Sequence, residues 1–368
     1  MHVEKITDTD RFLDFRIQWN QLLSTRKTKP LPLTHEWMSA WWKSFGSNRK
    51  LHICCVYEDD RLLAIAPFFK GKTTYRGVPV TTLSLMANGH SPYCDVIFDS
   101  TLDSETTSKI MDLLVTINTE NIMVFAKIPE TSQTYSYLVS KPHVHGHRYG
   151  VKDSLVTPII KINSNWDEYF KLRTRKFRKN INNKINKFHK EKDFIITRET
   201  IKSHSHSTLN EVVEISKHSW KTKINNDLGA NTASREFLFG LVDTFAADNS
   251  IQVWIMRKAG IPVAYEFHLV FDNVVYPLRA DYHDDFRKYS PGSVLEYTAL
   301  KTLFEEQEVY EYNSCADNYW YLNNWANEVR KQFSIEVFEN SVKALMLHSL
   351  EFRAIPLLRV VRDKIHQH

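Results

Sequence analysis

Residues 253–312 carry the pattern that most restricts the fold of this chain. Val253–Met256, Val263–Val270 and Val274–Arg279 are apolar, β-branched runs joined by short turns. Each reads as a strand. Phe286-Arg-Lys-Tyr-Ser-Pro-Gly-Ser293 then interrupts the pattern. Leu295, Ala299 and Leu303 resume it at helical spacing, and Val309–Tyr312 closes the block as another strand. Strands interleaved with a helix in this order predict an α/β fold, with a mixed, mostly antiparallel sheet flanked by helices.

The turn into that helix has the chemistry of an anion cradle. Ser290 suits an N-cap, and Pro291 suits the first helical position, where a missing N–H costs nothing. Gly292 and Ser293 are expected to present free N–H groups, and the helix dipole favours negative charge there. Arg287 and Lys288 add positive charge just upstream. The turn from Arg287 to Val294 is therefore the expected phosphate site. Taken alone, the same residues also suit an ordinary capped helix.

The order of these elements resembles the core of GNAT-fold acyltransferases. More closely, the chain resembles the acetyltransferases of bacterial cellulose- and exopolysaccharide-type operons. The matching segments are Gly260-Ile-Pro-Val-Ala264, Tyr282-His-Asp-Asp-Phe-Arg-Lys-Tyr-Ser-Pro-Gly292, Tyr310-Glu-Tyr312 and residues 319–325. In the first half they are Leu33-Thr-His-Glu-Trp-Met-Ser-Ala-Trp-Trp-Lys-Ser-Phe-Gly46 and Leu62-Leu-Ala-Ile-Ala-Pro-Phe-Phe69. The resemblance implies acetyl-CoA or another acyl-CoA as co-substrate, bound at the Ser-Pro-Gly turn. It also implies a sugar or cell-envelope intermediate as acceptor. The chain departs from the family's pattern at Cys315 and Ala316, where a Gly is usual, and at Trp320, where Lys is usual.

An earlier block repeats the order. Lys50–Tyr57, Leu62–Phe69, Thr81–Met86 and Tyr93–Phe98 read as strands, Glu105–Ile117 as a helix and Ile122–Ala126 as a strand. Residues 10–25 and 34–45 read as helices before it. Trp37, Trp41, Trp42 and Phe45 share one helical face and predict core. The expectation is two tandem GNAT-like domains, 1–150 and 151–368, with residues 127–150 as linker. The first copy's turn, Ala87-Asn-Gly-His-Ser-Pro92, has no basic flank, so only the second is expected to bind the cofactor. Such a double arrangement also resembles Fem-type aminoacyltransferases of cell-wall synthesis, which implies charged tRNA as the alternative donor. A binding protein with both copies inactive is the third reading.

The 368 residues are 42% hydrophobic and 25% charged, which suits a soluble protein, and the net charge of +5 permits an anionic partner without requiring one. The four Cys form no C-x-x-C pair. The N-terminus lacks a signal-peptide core, and no apolar run approaches the ~20 residues needed to span a bilayer. A cytoplasmic protein is expected. Residues 342–365 are basic and amphipathic; they are expected to pack on the second domain, with peripheral membrane contact as the alternative. Residues 171–192 are strongly basic, and Phe177, Ile181, Ile185 and Phe188 mark one buried stripe. The rest of that helix is either a solvated face or a patch for phosphate, CoA's or tRNA's, with acyl-CoA the favoured partner. His143-Val-His-Gly-His147 lacks the carboxylate or Cys that would complete a metal set, so no metal is expected.

Acyl transfer needs a base for the acceptor's proton, donors at the carbonyl and an acid for the leaving thiolate. Asp281, at a strand end beside the turn, is the first candidate base. Glu266 is its rival, because a carboxylate on an apolar strand is costly without a role. Strand alternation puts His268 on the face of Glu266. Tyr319 is the candidate acid, and Trp220 and Trp325, with His268, are candidates for the acceptor pocket.

Overall fold

The computed structural model describes residues 1–140 and 146–358. It divides into two compact units, one of Met1–Leu155 with the chain from Lys331 on, the other of Val156–Arg330.

In the first unit β1 (His2–Ile6), β2 (Lys50–Glu58), β3 (Arg61–Tyr75) and β4 (Val78–Leu85) pair antiparallel in that order. The helix expected over 10–25 is two, α1 (Thr9–Asp14) and α2 (Arg16–Ser24), which break at Phe15. The helix α3 (His35–Phe45) is capped by the Thr34 side chain. It buries Trp37 and Trp41 fully, so those rings are core. The short β5 (Ile97–Phe98) adds to β3. Asp103 caps α4 (Ser104–Thr116), after which β6 (Ile122–Pro129) returns parallel to β4.

Residues 127–150 are not a linker. They hold the end of β6, the helix α5 (Gln133–Ser140) and the start of β7 (Arg148–Lys161). Gly150 lies against the Phe352 ring, and a Cβ there would meet it at 2.1 Å. The glycine therefore serves close packing rather than flexibility. Of the histidine run, His143 and His145 lie outside the described residues.

The chain enters the second unit along β7. There follow α6 (Trp166–Lys171), α7 (Arg175–Lys190), β8 (Phe194–Thr200), α8 (Ser207–Lys217) and α9 (Thr232–Phe245). Then come β9 (Ile251–Lys258), β10 (Ile261–Phe271) and β11 (Val274–Tyr282). Strands β8 to β11 pair antiparallel in sequence order. Two-residue loops with positive φ, Ala259-Gly260 and Asp272-Asn273, make the two tight hairpins. After α10 (Pro291–Glu306), β12 (Glu311–Asn313) lies parallel to β11. This repeats the order of the first unit, as the sequence predicts.

Ile159–Lys161 of β7 pair antiparallel with β12 in the second unit. After the short helix α11 (Trp320–Asn323), β13 (Glu328–Phe338) leaves that unit, and Gln332–Phe338 pair with β6 in the first. The helix α12 (Val342–Ser349) follows, and Ala344 and Leu347 pack with Val80, Ile122 and Phe338. The expected second domain of 151–368 is therefore corrected at its C-terminal end. Residues 331–358 pack with the first unit, because the parallel strand β6 needs a partner on its open edge. No helix among the described residues is long and apolar enough to cross a membrane.

Candidate active site

The turn into α10 is built around Ser290. It ends a 3₁₀ turn, Asp284–Tyr289, and starts α10 with φ +54°. A following proline ordinarily drives a residue to extended backbone, yet Ser290 takes the left-handed region, a strained conformation for a residue other than glycine. Its side chain makes no capping bond, contrary to expectation. The Val294 N–H donates to the Ser290 carbonyl at 3.1 Å, and the Val294 side chain is buried. Val294 thus offers a ligand nothing, and the cradle narrows to the N–H groups of Gly292 and Ser293, which precede that first intrahelical bond. A Cβ at Gly292 would meet only Tyr282, at 3.6 Å, so packing within the protein does not demand glycine there.

Against this turn lies α7. Thr174 caps it, Ile181 is buried, and Phe177, Ile185 and Phe188 pack on the cores beneath. Its other face carries Lys176, Lys179, Lys184 and Lys187. With Lys288, Tyr289 and Ser290 these line an open cleft of about 410 Å³ that no carboxylate lines. The Lys184 ammonium donates to Ser293 Oγ at 2.9 Å, and Lys187 donates to the Lys288 carbonyl at 2.9 Å. Burial lowers the Lys184 pKa from its ordinary value. The basic stretch and the Ser-Pro-Gly turn, separate in sequence, therefore form one cationic cleft. Arg287 is exposed and reaches back to the Tyr282 hydroxyl at 3.4 Å rather than lining the cleft.

Behind the cleft, β10 and α10 bring two carboxyls to one region. Ala264 packs with Val294, Leu295 and Ala299 of α10, so the 264/266/268 face of β10 looks toward that helix. Glu266 is 5% exposed, and His268 is fully buried with Nε2 at 2.9 Å from Glu266 Oε2. Among the described residues His268 Nδ1 has no partner. Burial pushes the Glu266 pKa up and pulls His268 down to about 3. Both shifts favour uncharged forms, so this contact is a neutral hydrogen bond. Glu296, half-buried one turn beyond Ser293, is raised by burial and by the Glu266 charge. The indole N–H of Trp325 and the Lys184 charge hold it back. Trp325 itself is 1% exposed, with its ring 4.6 Å from that of Phe177. Tyr312 of β12 stands with its ring 5.7 Å from His268.

Asp281 lies on the opposite face of the sheet. It pairs in register with Tyr265, the neighbour of Glu266 on β10. Directly opposed residues share a face, and adjacent ones do not. Asp281 Oδ2 accepts from the Tyr265 hydroxyl at 2.7 Å, from Ser216 Oγ at 2.9 Å and from Arg279 Nε at 3.0 Å. The Lys221 ammonium is 2.5 Å from Oδ1. Burial alone would raise its pKa, but Lys221 and Arg279 hold it below the ordinary carboxylate value. A carboxylate so tied down is an anchor rather than a proton acceptor.

The remaining sequence candidates separate. Trp220, 43% exposed, starts a 3₁₀ turn whose next residue is Lys221, so it belongs to the Asp281 side. Tyr319 is exposed and stacks on Tyr321 at 5.8 Å. The Tyr321 phenol is raised to about 12 by burial, Glu296, Tyr319 and Glu266. Tyr321 thus links the aromatic segment to the carboxyls. The structure brings Glu266, His268 and Trp325 together and leaves Asp281 and Trp220 apart from them. Sequence reading missed Glu296, Tyr312 and Tyr321. Glu296 follows Ser293 at helical spacing, but one acid on an amphipathic helix gives no signal without the facing strand.

Comparison with known proteins agrees with this architecture. Residues 175–321 match a family model described as an acetyltransferase (GNAT) domain. No curated protein sequence matches the chain. Among solved structures it is similar to FemX, with TM-score 0.59 and 12% identity over 95% of this chain and 100% of that one. A conserved protein of unknown function from Bacteroides thetaiotaomicron gives TM-score 0.54 and 12% identity over 92% and 100%. L-PGS from Bacillus licheniformis gives TM-score 0.51 and 11% identity over 86% and 94%. At such identities the likeness is one of fold. The fold is GNAT-like α/β, and the matched domain indicates an acyltransferase.

Proposed function

We propose that the second unit transfers an acyl group from acyl-CoA, acetyl-CoA foremost, to an amine or hydroxyl of a small-molecule or glycan-precursor acceptor. The observation that carries this reading is the lysine cleft, joined through Lys184 and Ser293 to the buried carboxyls behind it. Lysines without an opposing acid, beside the start of a 16-residue helix, suit a phosphate-bearing donor. Lys179, Lys187 and Lys288, with the N–H groups of Gly292 and Ser293, would hold its phosphates. The donor supplies the activated thioester. The chain supplies a site for the proton in the Glu266 cluster rather than at Asp281.

Isothermal titration of acetyl-CoA tests it. We expect binding by the full chain, and affinity at least about tenfold weaker in Lys179→Glu with Lys288→Glu. Equal affinity in the two proteins would remove the cleft from the donor site.

The second reading is aminoacyl transfer from charged tRNA. The breadth of the basic α7 face and the openness of the cleft favour it. A gel shift that discriminates charged from uncharged tRNA at near-physiological salt, with no affinity for acetyl-CoA, would select it.

A further inference from the structure

The C-terminal helix of the first unit has two apolar faces, and the fold of that unit uses one. Helix α12, a π turn (Leu350–Ala354) and residues 355–358 run on as one helix. Its inner face is well packed. Ala344 and Leu347 lie on Val80, Ile122 and Phe338. His348 Nε2 is 3.1 Å from the Tyr149 carbonyl, and the Phe352 ring is 5.3 Å from that of His348. Glu351 is held by Arg76 and by Lys152, the latter at 3.2 Å. The outer face carries Val342, Met346 and Leu350 at i, i+4 and i+8, so they share one side of the helix. They are 77%, 67% and 40% exposed, and Leu357 and Leu358 continue the patch at 67% and 66%. Single exposed apolar residues are ordinary, but a stripe of them along one helix marks an interaction surface. Cations flank the stripe. Lys343 and Arg353 are exposed, and among the described residues neither is paired with a carboxylate. Between 342 and 368 the sequence holds Lys343, Arg353, Arg359, Arg362 and Lys364 against Glu351 and Asp363. Of those two acids, Glu351 is already neutralised by Arg76 and Lys152.

We propose that this outer face docks on a membrane surface that bears anionic lipid. The helix lies in the interface, with Val342, Met346, Leu350, Leu357 and Leu358 among the upper acyl chains. Lys343 and Arg353 bury their stems beside them and carry their charges to the lipid phosphates. The contact is peripheral, since no helix among the described residues is long and apolar enough to cross a membrane. Charge decides the occupant. A symmetric contact with a second copy sets the same patch against itself, so Lys343 and Arg353 would meet cations. The face offers no free carboxylate to answer them, because Glu351 is tied to Arg76 and Lys152. A layer of anionic headgroups answers both the cations and the apolar stripe. The proposal does not depend on which donor the second unit uses.

Co-sedimentation of the full chain with vesicles of mixed phosphatidylglycerol and phosphatidylcholine tests it, with pure phosphatidylcholine vesicles alongside. Wild type is expected to bind the anionic vesicles at least about tenfold more tightly than the neutral ones, and less tightly as salt is added. Met346→Glu with Leu350→Glu should weaken that binding at least about tenfold. Its melting curve and acetyl-CoA titration should stay close to wild type, because both side chains point into water. Lys343→Glu with Arg353→Glu should also bind anionic vesicles at least about tenfold more weakly. Lys179→Glu with Lys288→Glu, which alters the cleft of the second unit, should stay within about threefold of wild type. Anionic-vesicle binding that survives in the Met346 and Leu350 variant, or that is lost in the cleft variant alone, would overturn the proposal. So would a wild type that binds neither kind of vesicle. A wild-type dimer in light scattering that the Met346 and Leu350 variant splits would then give the face to a second copy. Should that variant not fold, the Lys343 and Arg353 variant and the salt titration of wild type still decide.

Discussion

Replacing Asp281 by Asn separates an anchor from a base. The substitution keeps the shape and removes the charge. Lys221 and Arg279 then remain in a buried site with no anion, beside Tyr265 and Ser216. Breaking a buried pair from one side costs roughly 3–5 kcal/mol. For a unit of this size each kcal/mol moves the melting temperature by about 2–4 °C, so a fall of about 6–20 °C is expected. Asp281 sits below its ordinary pKa in the fold, so its contribution is fully present above about pH 4. It is lost as pH falls through the folded value, and the gap between wild type and variant should narrow in acid. Turnover per folded molecule should change less than about threefold, because no proton is taken there. Circular-dichroism melting and acceptor-dependent CoA release measure the two effects. A partial recovery in the double variant Asp281→Asn with Lys221→Met would mark the stranded charge as the cause. An unchanged melting temperature with at least about tenfold lower turnover would refute the anchor and return the base to Asp281.

Two further outcomes follow from the same geometry. Glu266 and Glu296 are raised above the unfolded value of about 4.3, so the folded state loses stability as pH climbs from there through their folded values. Glu296→Gln should therefore melt higher than wild type above about pH 8 and close to it near pH 5, and equal melting curves at both would contradict the raised pair. A chain cut after Leu155 should expose the edge of β6 that Gln332–Phe338 cover, and aggregate or fail to fold. A monomeric, cooperatively melting fragment in size-exclusion chromatography and calorimetry would show that the β13 strand is dispensable.

The sequence by itself determined the local elements. Alternating apolar runs, two-residue turns at Ala259-Gly260 and Asp272-Asn273, and Pro291 fixed the hairpins and the start of α10, because each depends on a few neighbouring residues. The repeated order of strands was legible for the same reason, as was the buried stripe of α7 at Phe177, Ile181, Ile185 and Phe188. The tertiary structure decided what those elements face. Asp281 and Glu266 look alike along the chain, each a carboxylate on a strand. Only the pairing of Tyr265 with Asp281 puts them on opposite faces, one beside Lys221 and Arg279 and the other beneath α10. Lys184 and Ser293 are 109 positions apart, and their contact, which makes one cleft of two motifs, exists only once α7 docks on α10. The pairing of β7 with β12 and of β13 with β6 is likewise silent in sequence. A strand's pattern says that it needs a neighbour, and hydrogen bonding at the sheet edge chooses which one.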